Sequence, residues 1–247
     1  MPQQILVRDS SGTRKIVGSS SNTVSDLLDA YKNDGSVAPN YIRKVTAFPS
    51  DGITPPNDPN YSSQWDLPNL NALSVWQQST GGDSSVKVAV LDTGVAYEDY
   101  NPAGSENYAK GPDFGSTNFV AGYDYINLDT HPDDDYGHGT AVASVIAGST
   151  NNSEGSASLA YNVSIMPIKI CDLYGWCLDS EVAQGIDFAR SNGAKVINMS
   201  IGGPDYSSVI QSAIDSAWNA GAVVVAASGN DGQSGVLYPG RGSHVIG

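Results

Sequence analysis

From residue 85 onward the chain alternates two kinds of segment. "SVKVAVLDTG", "NVSIMPIKICD", "AKVINMSIGG" and "AVVVAASGN" are short and almost wholly apolar before each ends in small or polar residues. Between them lie "GHGTAVASVIAG", "DSEVAQGIDFARSNG" and "SVIQSAIDSAWNAG", whose apolar residues recur at helical spacing and which close on glycine. Strands that are apolar on both faces belong inside a parallel sheet covered by helices on both sides. The expected fold class is therefore α/β, a doubly wound, mostly parallel sheet. The first 50 residues read differently. "QQILVRD" and "YIRKVTAF" predict strands, and "TVSDLLDAYKNDG" predicts an amphipathic helix with Thr23 or Ser25 near its N-cap. "PSDGITPPNDPN" has the composition of a linker. This gives a small α+β segment over 1–50, a linker over 51–60 and a larger domain over 61–247.

In doubly wound sheets the chemistry sits beyond the carboxyl ends of the strands. Asp92, residues 200–203 and Asn230 fall there. His138 stands at a helix start, between Gly137 and Gly139, two residues that would let another chain or a substrate approach. Singly, each has a plain reading: Asp92 as a turn former or helix cap, His138 as a structural or solvated histidine, Asn230 as a turn residue. Together they suit nucleophilic acyl transfer. Asp92 would accept from His138 and fix its tautomer, His138 would take a proton from a serine hydroxyl, and Asn230 would donate to the developing oxyanion.

Composition narrows the partners. A formal net charge of −14 disfavours nucleic acid and anionic membranes. It fits a secreted protein, and clustered carboxylates suit calcium. No apolar run approaches the ~18 residues of a membrane span. The start, "MPQQILVRDSSG", lacks the basic and apolar regions of a signal peptide. Cys171 and Cys177, in "CDLYGWC", are too widely spaced for a CxxC redox pair. They are either two free thiols or a disulfide closing a small hairpin, which would imply an oxidising compartment.

"VAVLDTGV", "GHGTAVASVIAG" and "VVVAASGNDG" carry a resemblance to the subtilisin-like serine proteases, the subtilases, of thermitase type, over roughly residues 55–247. The match departs at Ala141 and Ser144, where the family usually has His and Gly. The resemblance implies a serine endopeptidase with Asp92 and His138 in its triad and Asn230 as oxyanion donor. It also implies a nucleophile in a downstream GTS motif. No GTS occurs in these 247 residues, and Ser243 has other neighbours. The chain is accordingly expected to be a fragment, inactive alone and completed by a C-terminal segment that carries the serine; the alternative is a non-catalytic peptide-binding pseudoprotease.

The resemblance further implies that a protein or peptide substrate lies extended between residues 173–176, with Gly175 among them, and Ser200, Ile201, Gly202 and Gly203. Ala227, Ser228 and Gly229 would form another pocket wall. Structural Ca2+ is expected at two loops. The first has Asp58, Asp113 and Asn152 as side-chain ligands, with carbonyls of Ser149, Glu154 and Ser156. The second has Asp124, Asn127, Asp129 and Asp133, with His131 where the family has an oxygen ligand. Residues 1–50 resemble a shortened propeptide, the Tyr238–Pro239 bond is expected to be cis, and the Cys171–Cys177 bridge is expected from the secretory character of the family.

Overall fold

The computed structural model describes residues 3–8, 14–19, 21–33, 36–39, 54–102, 107–232 and 235–247. The chain forms two compact units, Met1–Pro49 and Ser50–Gly247. In the first, β1 (Gln3–Arg8) pairs antiparallel with β2 (Arg14–Ser19) and β3 (Ser36–Pro39) in the order β2-β1-β3. Helix α1 (Val24–Tyr31) buries Leu27 against Val7. Thr23 is its N-cap. Its hydroxyl accepts from Asp26 N at 3.2 Å and the Asp26 carboxylate accepts from Thr23 N at 2.9 Å, a reciprocal box that satisfies two otherwise unpaired amides. The expected strand "YIRKVTAF" lies outside the described residues. Strands β2 and β3 were not foreseen, because "RKIVGS" opens on two cations and "SVAP" is short.

The larger unit begins with α2 (Asp66–Asn69) and α3 (Ala72–Ser79). It continues through β4 (Lys87–Asp92), β5 (Asn118–Phe119), β6 (Tyr123–Asp124) and α4 (His138–Ala147). Then follow β7 (Ser164–Lys169), α5 (Asp179–Ser191), β8 (Val196–Met199), α6 (Ser208–Asn219), β9 (Val223–Ala226) and β10 (Val245–Ile246). The strands make a seven-stranded sheet in the order β10-β9-β8-β4-β7-β5, with β6 also on β7. Every pairing in it is parallel.

The two faces can be followed along β4. Ala89 and Leu91 join a core with α5 and α6, whereas Val88 and Val90 join a second core with Ala143 and Ala147 of α4. Alternate side chains leave a strand on opposite sides, so a strand apolar throughout serves both cores. The doubly wound α/β architecture read from the sequence is thus the one observed. It brings Asp92, at the carboxyl end of β4, to the amino end of α4.

Candidate active site

Asp92 closes β4 and is 1 % exposed; His138 opens α4 with a half-exposed ring. His138 Nδ1 lies 2.7 Å from Asp92 Oδ1. A carboxylate acceptor at that distance places the ring proton on Nδ1 and leaves Nε2 free to accept. Thr93 N also donates to Asp92 Oδ1, at 2.8 Å, while Asp92 Oδ2 is buried without a hydrogen-bond partner. Burial pushes the Asp92 carboxyl above its ordinary value, against the hydrogen bonds from His138 and Thr93.

Glycines set this junction, though not as the spacing suggested. A Cβ on Gly139 would sit 2.1 Å from the Gly94 carbonyl oxygen and 3.0 Å from Asp92 Cβ. What approaches Gly139 is the protein's own strand exit. Gly137 caps the helix with φ 100° and has open space beside it. Asp134 ties the turn together. Its Oδ1 accepts from Thr93 Oγ1 (2.8 Å), Gly137 N (2.8 Å) and Tyr136 N (3.1 Å), and its Oδ2 from Thr140 N (2.9 Å) and Thr140 Oγ1 (2.5 Å). Thr93 Oγ1 in turn accepts from Gly139 N at 3.0 Å. Burial alone would raise Asp134, yet the bonds from Thr140, Gly137 and Thr93 hold its carboxyl below the ordinary value. Sequence reasoning missed Asp134. Thr93 and Thr140, directly beside the acid and near the base, were the available signal.

The dyad faces a cleft of about 460 Å3 whose lining includes Gly175, Ser200, Ile201, Gly202 and Gly203. Exposed Tyr174 and Trp176, within the expected 173–176 segment, also line it, as does exposed Tyr136, which was not foreseen as a site residue. Gly203 N donates to Tyr238 O at 2.7 Å, and Tyr238 N donates to Gly203 O at 2.9 Å. The Tyr238–Pro239 peptide is cis, as expected. Ala227, Ser228 and Gly229 follow β9, with Ala227 N on Met199 O (3.1 Å) and Ser228 O taking Leu237 N (2.9 Å). Neither they nor the exposed Asn230 belong to the lining of this cleft. Cys171 and Cys177 are bridged, with Cα atoms 4.2 Å apart. The bridge closes the 172–176 hairpin, whose turn is held by Asp172 Oδ1 accepting from Tyr174 N and Trp176 N, both at 2.9 Å. No hydroxyl hydrogen bond to His138 is recorded among the described residues.

Residues of the first expected calcium loop are joined by hydrogen bonds. Asp113 Oδ1 accepts from Asn152 Nδ2 (2.9 Å) and its Oδ2 from Ser156 N (3.0 Å), while Ser149 N donates to Asp113 O (2.8 Å). Asn152 Oδ1 accepts from Glu154 N at 3.0 Å. Asp58, 4 % exposed, accepts from Asn151 N through Oδ2 at 2.8 Å, and its Oδ1 is buried with no partner. A buried carboxylate oxygen without a partner fits a hard cation.

The second loop is arranged otherwise. Asp124 Oδ1 accepts from Ile126 N (2.7 Å) and Asn127 N (2.8 Å), and its Oδ2 from Asn127 Nδ2 (3.1 Å). Asp129 Oδ1 accepts from His131 N at 2.8 Å. These contacts build the turn itself. Asp133 is 3 % exposed, both its carboxylate oxygens lack partners, and burial followed by the charge of Glu98 pushes it up to about 7. The donor atoms that lie within 4.8 Å of one another here belong to Glu98, His131 and Asp133. One of the three donors is an imidazole nitrogen, which an all-oxygen calcium cage does not use.

Among the described residues no helix is long and apolar enough to cross a membrane. Residues 83–247 match the model of the subtilase family. Thermitase of Thermoactinomyces vulgaris is 38% identical over 192 residues, covering 77% of this chain and 63% of thermitase. The thermophilic serine proteinase of Bacillus sp. (strain AK1) is 36% identical over 77% of this chain and 44% of its own length. Among solved structures, a protease from Pseudoalteromonas arctica PAMC 21717 superposes with a TM-score of 0.60 at 34% identity, over 72% of this chain and 60% of that one. Sphericase superposes with a TM-score of 0.57 at 29% identity, over 67% of this chain and 53% of its own. The chain thus spans less than two thirds of these relatives, but with the family match running from just before β4 to Gly247, it belongs to the subtilase family.

Proposed function

We propose that this chain is the acid- and base-bearing part of a secreted serine endopeptidase. The observation that carries the reading is the Asp92–His138 pair, 2.7 Å apart at the junction of a strand end and a helix start and opening on a cleft. Asp92 holds the proton on His138 Nδ1. His138 Nε2 then takes the proton of a serine hydroxyl as its oxygen attacks the scissile carbonyl, and returns it to the leaving amine. Asn230 donates its side-chain amide to the oxyanion. The serine is supplied by chain outside these 247 residues. The peptide lies extended between residues 173–176 and 200–203, with Ala227, Ser228 and Gly229 as a further wall; β-strand addition supplies affinity, and pockets take alternate side chains. Residues 1–50 act as a propeptide. The disulfide and the acidic surface support secretion.

Structural calcium is assigned to Asp58, Asp113 and Asn152 with the carbonyls of Ser149, Glu154 and Ser156. Bound there, calcium would supply charge neutralisation for the buried carboxylates and no chemistry.

The test is casein hydrolysis by the 247-residue chain alone, and again with the serine-bearing segment joined to it or added as a second chain. The completed protein should cleave casein and be inactivated by a serine-directed sulfonyl fluoride. His138→Ala should then remove activity, and Asn230→Leu should lower it by roughly 10²–10³. A completed protein that binds peptide without cleaving it is the pseudoprotease instead. Activity that survives His138→Ala overturns the mechanism.

A further inference from the structure

We propose that Glu98, His131 and Asp133 form a site for a first-row divalent transition ion of the zinc class, and that the ion clamps together the two segments carrying Asp92 and His138. The donor set is two carboxylates and one imidazole, with donor atoms within 4.8 Å of one another. Zinc bonds to such donors at about 2.0–2.2 Å, so donors around a tetrahedral ion lie about 3.4 Å apart. Side-chain adjustment of up to roughly 1.4 Å closes the set, and a water completes four-coordination.

Asp133 is the independent observation. Its carboxylate is buried and receives no hydrogen bond. A buried carboxylate without a partner is costly, so its surroundings call for a cation. The nearby ammonium does not fill that role: Lys169 Nζ contacts Asp135 Oδ1 (2.7 Å) and the Asp133 carbonyl (2.9 Å), not the Asp133 carboxylate. A simple ion pair between His131 Nδ1 and Glu98 Oε1, 2.8 Å apart, accounts for those two residues and leaves Asp133 unexplained. The ring is also held in place. It stacks on Tyr100 with centroids 3.8 Å apart and planes 6° apart, and its backbone N–H is fixed on Asp129. Such outer contacts orient a ligating imidazole.

The nitrogen donor selects against calcium and magnesium, which prefer all-oxygen shells, and towards zinc and its neighbours cobalt, nickel and copper. The site's place gives it a role. Glu98 lies just beyond Asp92 on one segment; His131 and Asp133 lie just ahead of His138 on the other. Val95 N already donates to Pro132 O at 2.9 Å between them. An ion shared by both adds a second, stronger link beside the dyad. The inference does not depend on the protease reading.

The experiment is calorimetric titration of the chelator-stripped, full-length protein with Zn2+ under saturating calcium, with the visible spectrum of Co2+ as a second readout. One Zn2+ should bind at a site that excess calcium does not empty, and Co2+ should give ligand-field bands. His131→Ala and Asp133→Asn should each weaken binding at least ~10-fold, a loss that even changes around a ligand commonly cause. Asp133→Asn is nearly isosteric and sacrifices no carboxylate hydrogen bond, so it carries the test if His131→Ala fails to fold. Zinc binding unchanged by these variants, displaced by calcium, or absent overturns the proposal.

Discussion

Asp92 and Asp134 are carboxylates at the same junction, and their surroundings drive them apart. Asp92 is raised by burial and keeps one oxygen unpaired; Asp134 accepts five hydrogen bonds and is held low. Because the folded form of Asp92 holds its proton more tightly than the unfolded chain, its ionisation costs stability. That contribution is complete below the ordinary aspartate range and is lost as pH rises through the folded value. Asp92→Asn carries no such cost. Its melting temperature should therefore gain on the parent's as pH goes from acid to neutral, while activity of the completed enzyme falls about 10⁴-fold through loss of the correct tautomer. A thermal scan across pH checks the first half and casein hydrolysis the second. Asp92 and His138 were legible because each sits in a distinctive run. Residues 133–135 were not, because three identical aspartates have three fates: Asp133 is buried and unpaired, Asp134 ties the turn, and Asp135 meets Lys169. Only the fold distinguishes them.

Between elements, the start of α4 packs closely against the end of β4. Gly139→Ala would drive a Cβ into the Gly94 carbonyl, which is backbone and cannot swing aside. The expected cost is roughly 1–3 kcal/mol by denaturant unfolding, as for other overpacked sites. Activity should fall further than stability, since the same displacement parts Asp92 from His138. The 172–176 hairpin allows a second check. Its two cysteines are 6 residues apart, and closing so short a loop stabilises by roughly 2 kcal/mol, so reduction should lower the melting temperature by about 4–8 °C. The long elements of the larger unit were readable because their patterns are long and unambiguous. Two-residue strands such as β5 and β6 carry no period at all, and β2 exposes Ile16 at 62%, so its alternation does not mark a core.

For the molecule as a whole, calcium at Asp58, Asp113 and Asn152 would join three distant stretches of sequence. Removing calcium at fixed zinc should lower the melting temperature by about 5–10 °C, as for a ligand lost from a hundredfold excess over its Kd. Asp58→Asn, which takes the charge from the orphaned oxygen, should melt at the same temperature with and without calcium; a full calcium response in that variant would place the ion elsewhere. The architecture itself followed from the sequence because a sheet buried on both faces writes nearly continuous apolar strands. Its two cores carry one further consequence, for the history of such chains. Ala89 and Leu91 serve one core and Val88 and Val90 the other. A substitution at any one of them disturbs a single side, but inserting or deleting one residue within β4 exchanges the sides at every later position and turns Asp92 away from His138. In descendants of this sequence, the length of β4 should drift less than the identity of any side chain along it.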